Sequence, residues 1–136
     1  MKFKKFIVKV LMVFVMIFSL ASCRAPEDIC GKYNLTSVSG LPGVSVSTYQ
    51  YNFIVLNDDY SYTLENKANG IITKQEGNWS INDEMTEITF VTYSSLAQSV
   101  TEVYQYDIDA KTLTVALKMQ SYDIKMVFTK EETVTQ

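Results

Sequence analysis

The chain has 136 residues, two cysteines, no histidine and a formal net charge of −3. Without histidine there is no imidazole acid–base catalyst, no Ser-His-Asp or Cys-His nucleophile and no imidazole metal ligand. The acidic excess excludes a basic grip on nucleic acid, where affinity rests on Lys and Arg set against phosphates.

Met1-Lys2-Phe3-Lys4-Lys5 is a short positive stretch, and an apolar run from Phe6 to Leu20 follows, interrupted only by Lys9 and Ser19. A positive start, a short apolar core and small residues at its end form the layout of a secretory signal. The rival reading, a transmembrane helix, needs roughly 20 apolar residues, about twice the uninterrupted core present. Leu20-Ala21-Ser22-Cys23 resembles the lipobox of bacterial lipoprotein precursors. The resemblance implies cleavage after Ser22 and a diacylglyceryl group carried on the Cys23 sulfur. It predicts a signal peptide over 1–22, a lipidated cysteine with a polar tether over 23–30, and anchorage to a bacterial cell membrane or outer membrane. The alternative is an ordinary signal with a cysteine beside it. One acyl chain holds a protein only marginally, whereas two hold it stably. A lipidated Cys23 leaves Cys30 without a partner in the chain, as a free thiol or an intermolecular one.

All fifteen acidic residues and only eight of the twelve basic ones lie after Ser22, so the mature part carries −7. It is long enough for one domain with its own core.

From Gly31 to Lys130 the hydrophobic period is close to two, the signature of strands with one buried face. Tyr33 and Leu35 open the pattern, and a loop around Ser39-Gly40-Leu41-Pro42-Gly43 follows. Tyr49, Tyr51, Phe53 and Val55 form the next expected inner face, with Gln50 and Asn52 opposite and Ile54 and Leu56 as exceptions. Asn57-Asp58-Asp59 reads as a turn, before Tyr60, Tyr62 and Leu64. Asn69-Gly70 is the strongest hairpin signal, because a type I′ turn needs positive φ at both central residues. Ile71, Thr73, Gln75, Gly77, Trp79 and Ile81 make the next inner set, and Asn82-Asp83-Glu84 the next turn. Ile88 and Phe90 continue it. After the polar stretch Ser94–Ser99 come Val100, Tyr104, Tyr106 and Ile108, with Glu102 in phase among them. Leu113, Val115, Leu117 and Met119, then Tyr122, Ile124, Met126 and Phe128, complete the series, and residues 131–136 are a polar tail.

The expectation is an all-β domain over 31–130: about eight antiparallel strands in a meander, closing into a barrel that removes exposed edges. A two-sheet sandwich is the alternative.

Several segments together resemble the lipocalin-like domains of bacterial lipoproteins. These are Gly31-Lys32-Tyr33, Tyr51-Asn52-Phe53 with Asn57-Asp58-Asp59-Tyr60-Ser61-Tyr62, Glu76-Gly77-Asn78-Trp79-Ser80-Ile81, and Tyr106 to Leu113. The resemblance implies a lipocalin-like β-barrel and a small apolar ligand, but no particular activity.

No cofactor, metal site or catalytic residue is expected. The carboxylate pairs Asp58/Asp59 and Asp107/Asp109 sit where turns want Asp, and Glu65 and Glu76 lack the setting of a hydrolase. Tyrosine is the informative residue type, because its ring is apolar and its hydroxyl wants a partner. Tyr51, Tyr62, Trp79, Tyr104 and Tyr106 are the expected ligand-binding residues of a Tyr-lined pocket for a small apolar or amphipathic molecule in the cell envelope. The alternative is a filled barrel, which eight strands also permit, acting as a protein-interaction or inhibitor module. Glu102 reads as a strand-end residue facing solvent or a polar group of that pocket. A monomer is expected.

Overall fold

The computed structural model describes residues 25–93 and 99–132. The signal segment, Cys23, the Ser94–Gln98 connection and residues 133–136 lie outside them. Eight antiparallel strands follow one another round a single closed barrel, each paired with its neighbours in sequence. They are β1 (Gly31–Ser39), β2 (Tyr51–Leu56), β3 (Ser61–Ala68), β4 (Ile71–Ile81), β5 (Glu87–Tyr93), β6 (Ser99–Asp107), β7 (Thr112–Met119) and β8 (Tyr122–Lys130). Closure comes from β1 pairing with β8, with Leu35 opposite Phe128.

Local chemistry makes the turns. Asn69 (φ 52°) and Gly70 (φ 77°) supply the two positive dihedrals of the β3–β4 hairpin. The Asn82 side-chain oxygen accepts from the backbone N–H groups of Thr86 and Glu87 at 2.8 and 3.0 Å, which ties the β4–β5 turn. Asp107 does the same for Asp109 and Ala110 in the β6–β7 turn, both at 3.0 Å. The β1–β2 loop contains one 3₁₀ turn, Val46–Thr48, which alternation alone does not signal. In β1 a bulge between Leu35 and Ser37 shifts the alternation. Val38 thereby packs on the core after Tyr33 and Leu35, against the facing Met126.

Two expectations are corrected. The first concerns β2, whose buried residues are Asn52, Ile54 and Leu56, while Tyr51, Phe53 and Val55 face outward. Residues opposite one another in a ladder share a face. Ile54 stands opposite both Tyr33 and Leu64, and Leu56 opposite Tyr62. Those partners set the parity, and a one-residue slip would turn every β2 side chain over. Outside, the Tyr51 and Phe53 rings lie 5.6 Å apart, and the Lys32 ammonium sits 4.5 Å from the Phe53 centroid. The aromatic character of β2 is thus satisfied without burial.

The second concerns the tether. Residues 25–30 are part of the barrel floor, not a free spacer. Ala25 and Ile29 are buried with the core, and the Ala25 N–H donates to the Asp58 carbonyl at 2.9 Å. The Tyr33 hydroxyl donates to the Ile29 carbonyl at 2.5 Å, and the Lys130 ammonium to the Asp28 carbonyl at 2.7 Å. Pro26 through Cys30 turn back on themselves, with the Ile29 N–H donating to the Pro26 carbonyl at 3.1 Å.

The barrel therefore has two unlike ends. The closed end gathers this N-terminal segment, the β2–β3, β4–β5 and β6–β7 turns, and the end of β8. The open end carries the β1–β2 loop and the β3–β4 and β7–β8 hairpins.

Candidate functional site

Four of the five expected pocket residues are brought together inside the barrel. Tyr62, Trp79, Tyr104 and Tyr106 are each at most 5% exposed. Tyr51 lies on the outer face, where partial desolvation and the nearby Glu65 carboxylate push its phenol pKa up. The inward four do not line an empty chamber. Tyr62, Phe90, Tyr104 and Phe128 form a continuous aromatic series across the interior, with successive centroids 4.7, 4.8 and 6.3 Å apart. The first two contacts are edge-to-face, the arrangement that ring quadrupoles favour. Trp79 packs against Tyr60 at 5.0 Å, and its indole N–H donates to the Asn57 carbonyl at 3.1 Å.

The hydroxyls are largely used within the protein. The Tyr62 hydroxyl is hydrogen-bonded to that of Thr92. Tyr33 is sealed in the floor, where desolvation and the neighbouring Tyr106 phenol push its pKa far above that of a free phenol. Desolvation likewise raises Tyr104, with the Glu102 carboxylate adding to the effect. Neutral, packed and hydrogen-bonded phenols are what a filled core requires.

Surface clefts occur at the closed end too, between the β4–β5 and β6–β7 turns and beside Lys130, but at the open end three ladders stop early. The β1–β2 register ends at Asn34 opposite Phe53, β4–β5 at Gly77 opposite Thr92, and β6–β7 at Gln105 opposite Thr114. At Gly77 β4 still approaches β5 closely, and only glycine fits, because a Cβ there would overlap the Val91 carbonyl oxygen. Beyond it, β4 diverges and leaves a groove of about 560 Å³ lined by Lys74, Gln75, Glu76, Thr92, Tyr93, Val100 and Glu102. Lys74 and Glu76, two residues apart on β4, pair along one wall of it at 3.1 Å. A smaller cleft of about 250 Å³, between β1 and β2, is lined by Leu35, Val46, Tyr49 and Asn52 among others. The Asn52 side-chain oxygen is buried there without a hydrogen-bond partner.

Most of the exposed large hydrophobics gather at this open end; Val103 lies within β6, and Ile108, expected on the inner face, is exposed in the closed-end β6–β7 turn because the strand has already ended at Asp107. Ile71, Ile72, Tyr93, Val100, Leu117, Met119 and Tyr122 are all exposed large hydrophobics, and each lies near an open-end hairpin or connection. Their alternation reads inward for Ile71, Val100, Leu117, Met119 and Tyr122, but the wall that would cover them is interrupted. Glu102 is half-buried at the mouth, in phase with Tyr104.

Cys30 is a free thiol, half-buried beside the floor, and desolvation is the first cause that raises its pKa. No group of three or more His, Cys, Asp or Glu among the described residues is placed to hold a metal ion. Cys23 lies outside the described residues. Comparison with protein-family models, with curated proteins and with solved structures finds no match to the chain.

Proposed function

We propose that this is an exported bacterial lipoprotein, held at a membrane through Cys23, whose filled lipocalin-like barrel serves as a scaffold for protein interaction. The single observation that carries the reading is the contrast within the barrel. The aromatic series occupies the interior, while exposed apolar side chains concentrate at the open end. Single exposed hydrophobics need no explanation, but clustered ones mark contact surfaces.

The floor gives the anchor a direction. Cys23 precedes the buried Ala25 by two residues, and two residues span at most about 7 Å. A lipid on Cys23 therefore holds the closed end against the bilayer and leaves the open end facing away. The −7 charge of the mature part disfavours a second, polybasic grip on anionic lipid.

A second reading, a small amphipathic ligand, is favoured by the mouth groove between β4 and β6. Such a ligand would sit at the rim and touch Tyr93 and Glu102, with Tyr62 and Tyr104 beneath as support. The expected role is that of a binding module, not an enzyme.

The test has two parts. Cys23→Ser is expected to abolish fatty-acid labelling and membrane retention. A photo-crosslinking residue at position 119 is expected to capture a protein in cells, and one at position 110 to capture none. Retention of label in the serine variant overturns the anchor. Equal capture at both ends, or none at either, overturns the interaction module. A discrete small-molecule adduct in native mass spectrometry of the extracted protein would move the function to the mouth groove.

A further inference from the structure

The β6–β7 hairpin is the least completed ladder in the barrel. Its turn is short, yet only three rungs form: Asp107 opposite Thr112, Tyr106 opposite Leu113 and Gln105 opposite Thr114. On the far sides the same strands are fully used. β6 pairs with β5 out to Ser99 opposite Tyr93, and β7 pairs with β8 out to Met119 opposite Tyr122. Ser99–Tyr104 and Val115–Met119 thus each present a backbone edge that no strand among the described residues occupies.

Glu102 gives the physical reason. Continuing the register would set Glu102 opposite Leu117, on the interior face. Its β5 neighbour there is Phe90, which is buried. Zipping the hairpin would flank the Glu102 carboxylate with Phe90 on one side and Leu117 on the other, and burying a carboxylate without a cationic partner is costly. The hairpin stays open, and Val100, Leu117 and Met119 are left 51%, 38% and 58% exposed. An inward-pointing charge on a free edge also blocks pairing with an arbitrary apolar strand. The same charge selects for a strand that neutralises it.

We infer that the free edge of β6, Ser99–Tyr104, accepts an extended segment of a partner polypeptide as an added strand, with Lys or Arg at the rung facing Glu102. A row of unpaired N–H and C=O groups at strand spacing is matched by another backbone. Its inner side chains would follow the β6 pattern: apolar opposite Val100 and Tyr104, cationic opposite Glu102. Such a residue gains a charge-assisted hydrogen bond at a half-buried site. The inference rests on the interaction reading above and names its site and its chemistry.

The experiment titrates the full exported protein, in detergent micelles, with Val-Thr-Lys-Thr-Val and with the same peptide carrying Glu for Lys. Backbone amides are followed by NMR. The expected result is shifts and slowed exchange at Val100–Tyr104, with the Lys peptide binding roughly tenfold or more tightly than the Glu peptide. Glu102→Lys is expected to invert that preference. N-methylation of the edge-facing peptide amides, which leaves the protein unchanged, is expected to abolish binding. Binding that survives N-methylation, or a preference that does not invert, overturns the inference. Equal binding of butylammonium at the same residues also overturns it and makes the site one for small organic cations. If no peptide binds while position 119 still captures a protein in cells, the added strand is wrong and the interaction module stands.

Discussion

The two ends of this barrel are made of the same strands, yet they finish in opposite ways. At the closed end the floor segment reaches across, held by long-range hydrogen bonds from Ala25 to Asp58 and Lys130 to Asp28 and by a local one from Tyr33 to Ile29. At the open end three ladders stop short, and side chains that alternation assigns to the interior stand in solvent. The difference shows that alternation reports which face a residue takes, whereas burial also requires a neighbouring strand to complete the wall.

The largest test of that contrast is truncation inside. Trp79→Ala removes a buried ring and its hydrogen bond at the closed end, and is expected to cost about 3–5 kcal/mol. Ile71→Ala at the open end is expected to stay within about 0.5 kcal/mol. Urea unfolding of both variants checks this, and comparable losses would erase the distinction between the ends.

A smaller effect tests the floor and its pH dependence. Tyr33→Phe leaves the buried Ile29 carbonyl without its donor and is expected to cost about 1–3 kcal/mol at neutral pH. Tyr33 and Tyr104 both titrate higher in the folded protein than in the unfolded chain. Above the ordinary phenol pKa, near 10, the unfolded chain releases protons that the folded protein keeps. Their stabilising contribution is therefore full below pH 10 and is lost as pH rises beyond it. Urea midpoints measured from pH 8 to 11 should fall at the alkaline end, and less steeply in Tyr33→Phe. A slope unchanged by that substitution would mean that the floor phenol does not carry the effect.

The smallest expected effect has the opposite sign. Asn52 is buried with its side-chain oxygen unpaired, and such a group costs about 1–3 kcal/mol when nothing satisfies it. Asn52→Leu fits the aliphatic face of Ile54 and Leu56 and is expected to raise the urea midpoint slightly. A fall would place a hydrogen-bonding partner for the amide in the β1–β2 cleft.

Much of this is legible in the sequence. The eight strands, the Asn69-Gly70 hairpin and the inward Tyr62, Trp79, Tyr104 and Tyr106 follow from alternation and turn residues. Alternation does not decide the side of Tyr51, because aromatic residues weigh toward burial and both faces of Tyr51–Leu56 carry apolar residues. Arg24, Glu27 and Asp28 make the tether polar in sequence, while the burial of Ala25 and Ile29 depends on the floor they meet. Glu102 was visible in phase with the interior, but its consequence depended on Phe90 and Leu117, neighbours that sequence distance conceals.

By itself, then, the sequence determined the class of element, the turns and the barrel closed by a meander. These rest on local rules: a side-chain period of two, and φ preferences within a few residues. It also carried the signal layout and the lipobox resemblance, which are linear features. The tertiary structure alone decided the parity of β2, the sealing of one end by residues 25–30, the early ending of the β6–β7 ladder and the filling of the interior by rings. Each depends on which distant side chains meet across the closed sheet, and closure joins β1 to β8 from opposite ends of the domain.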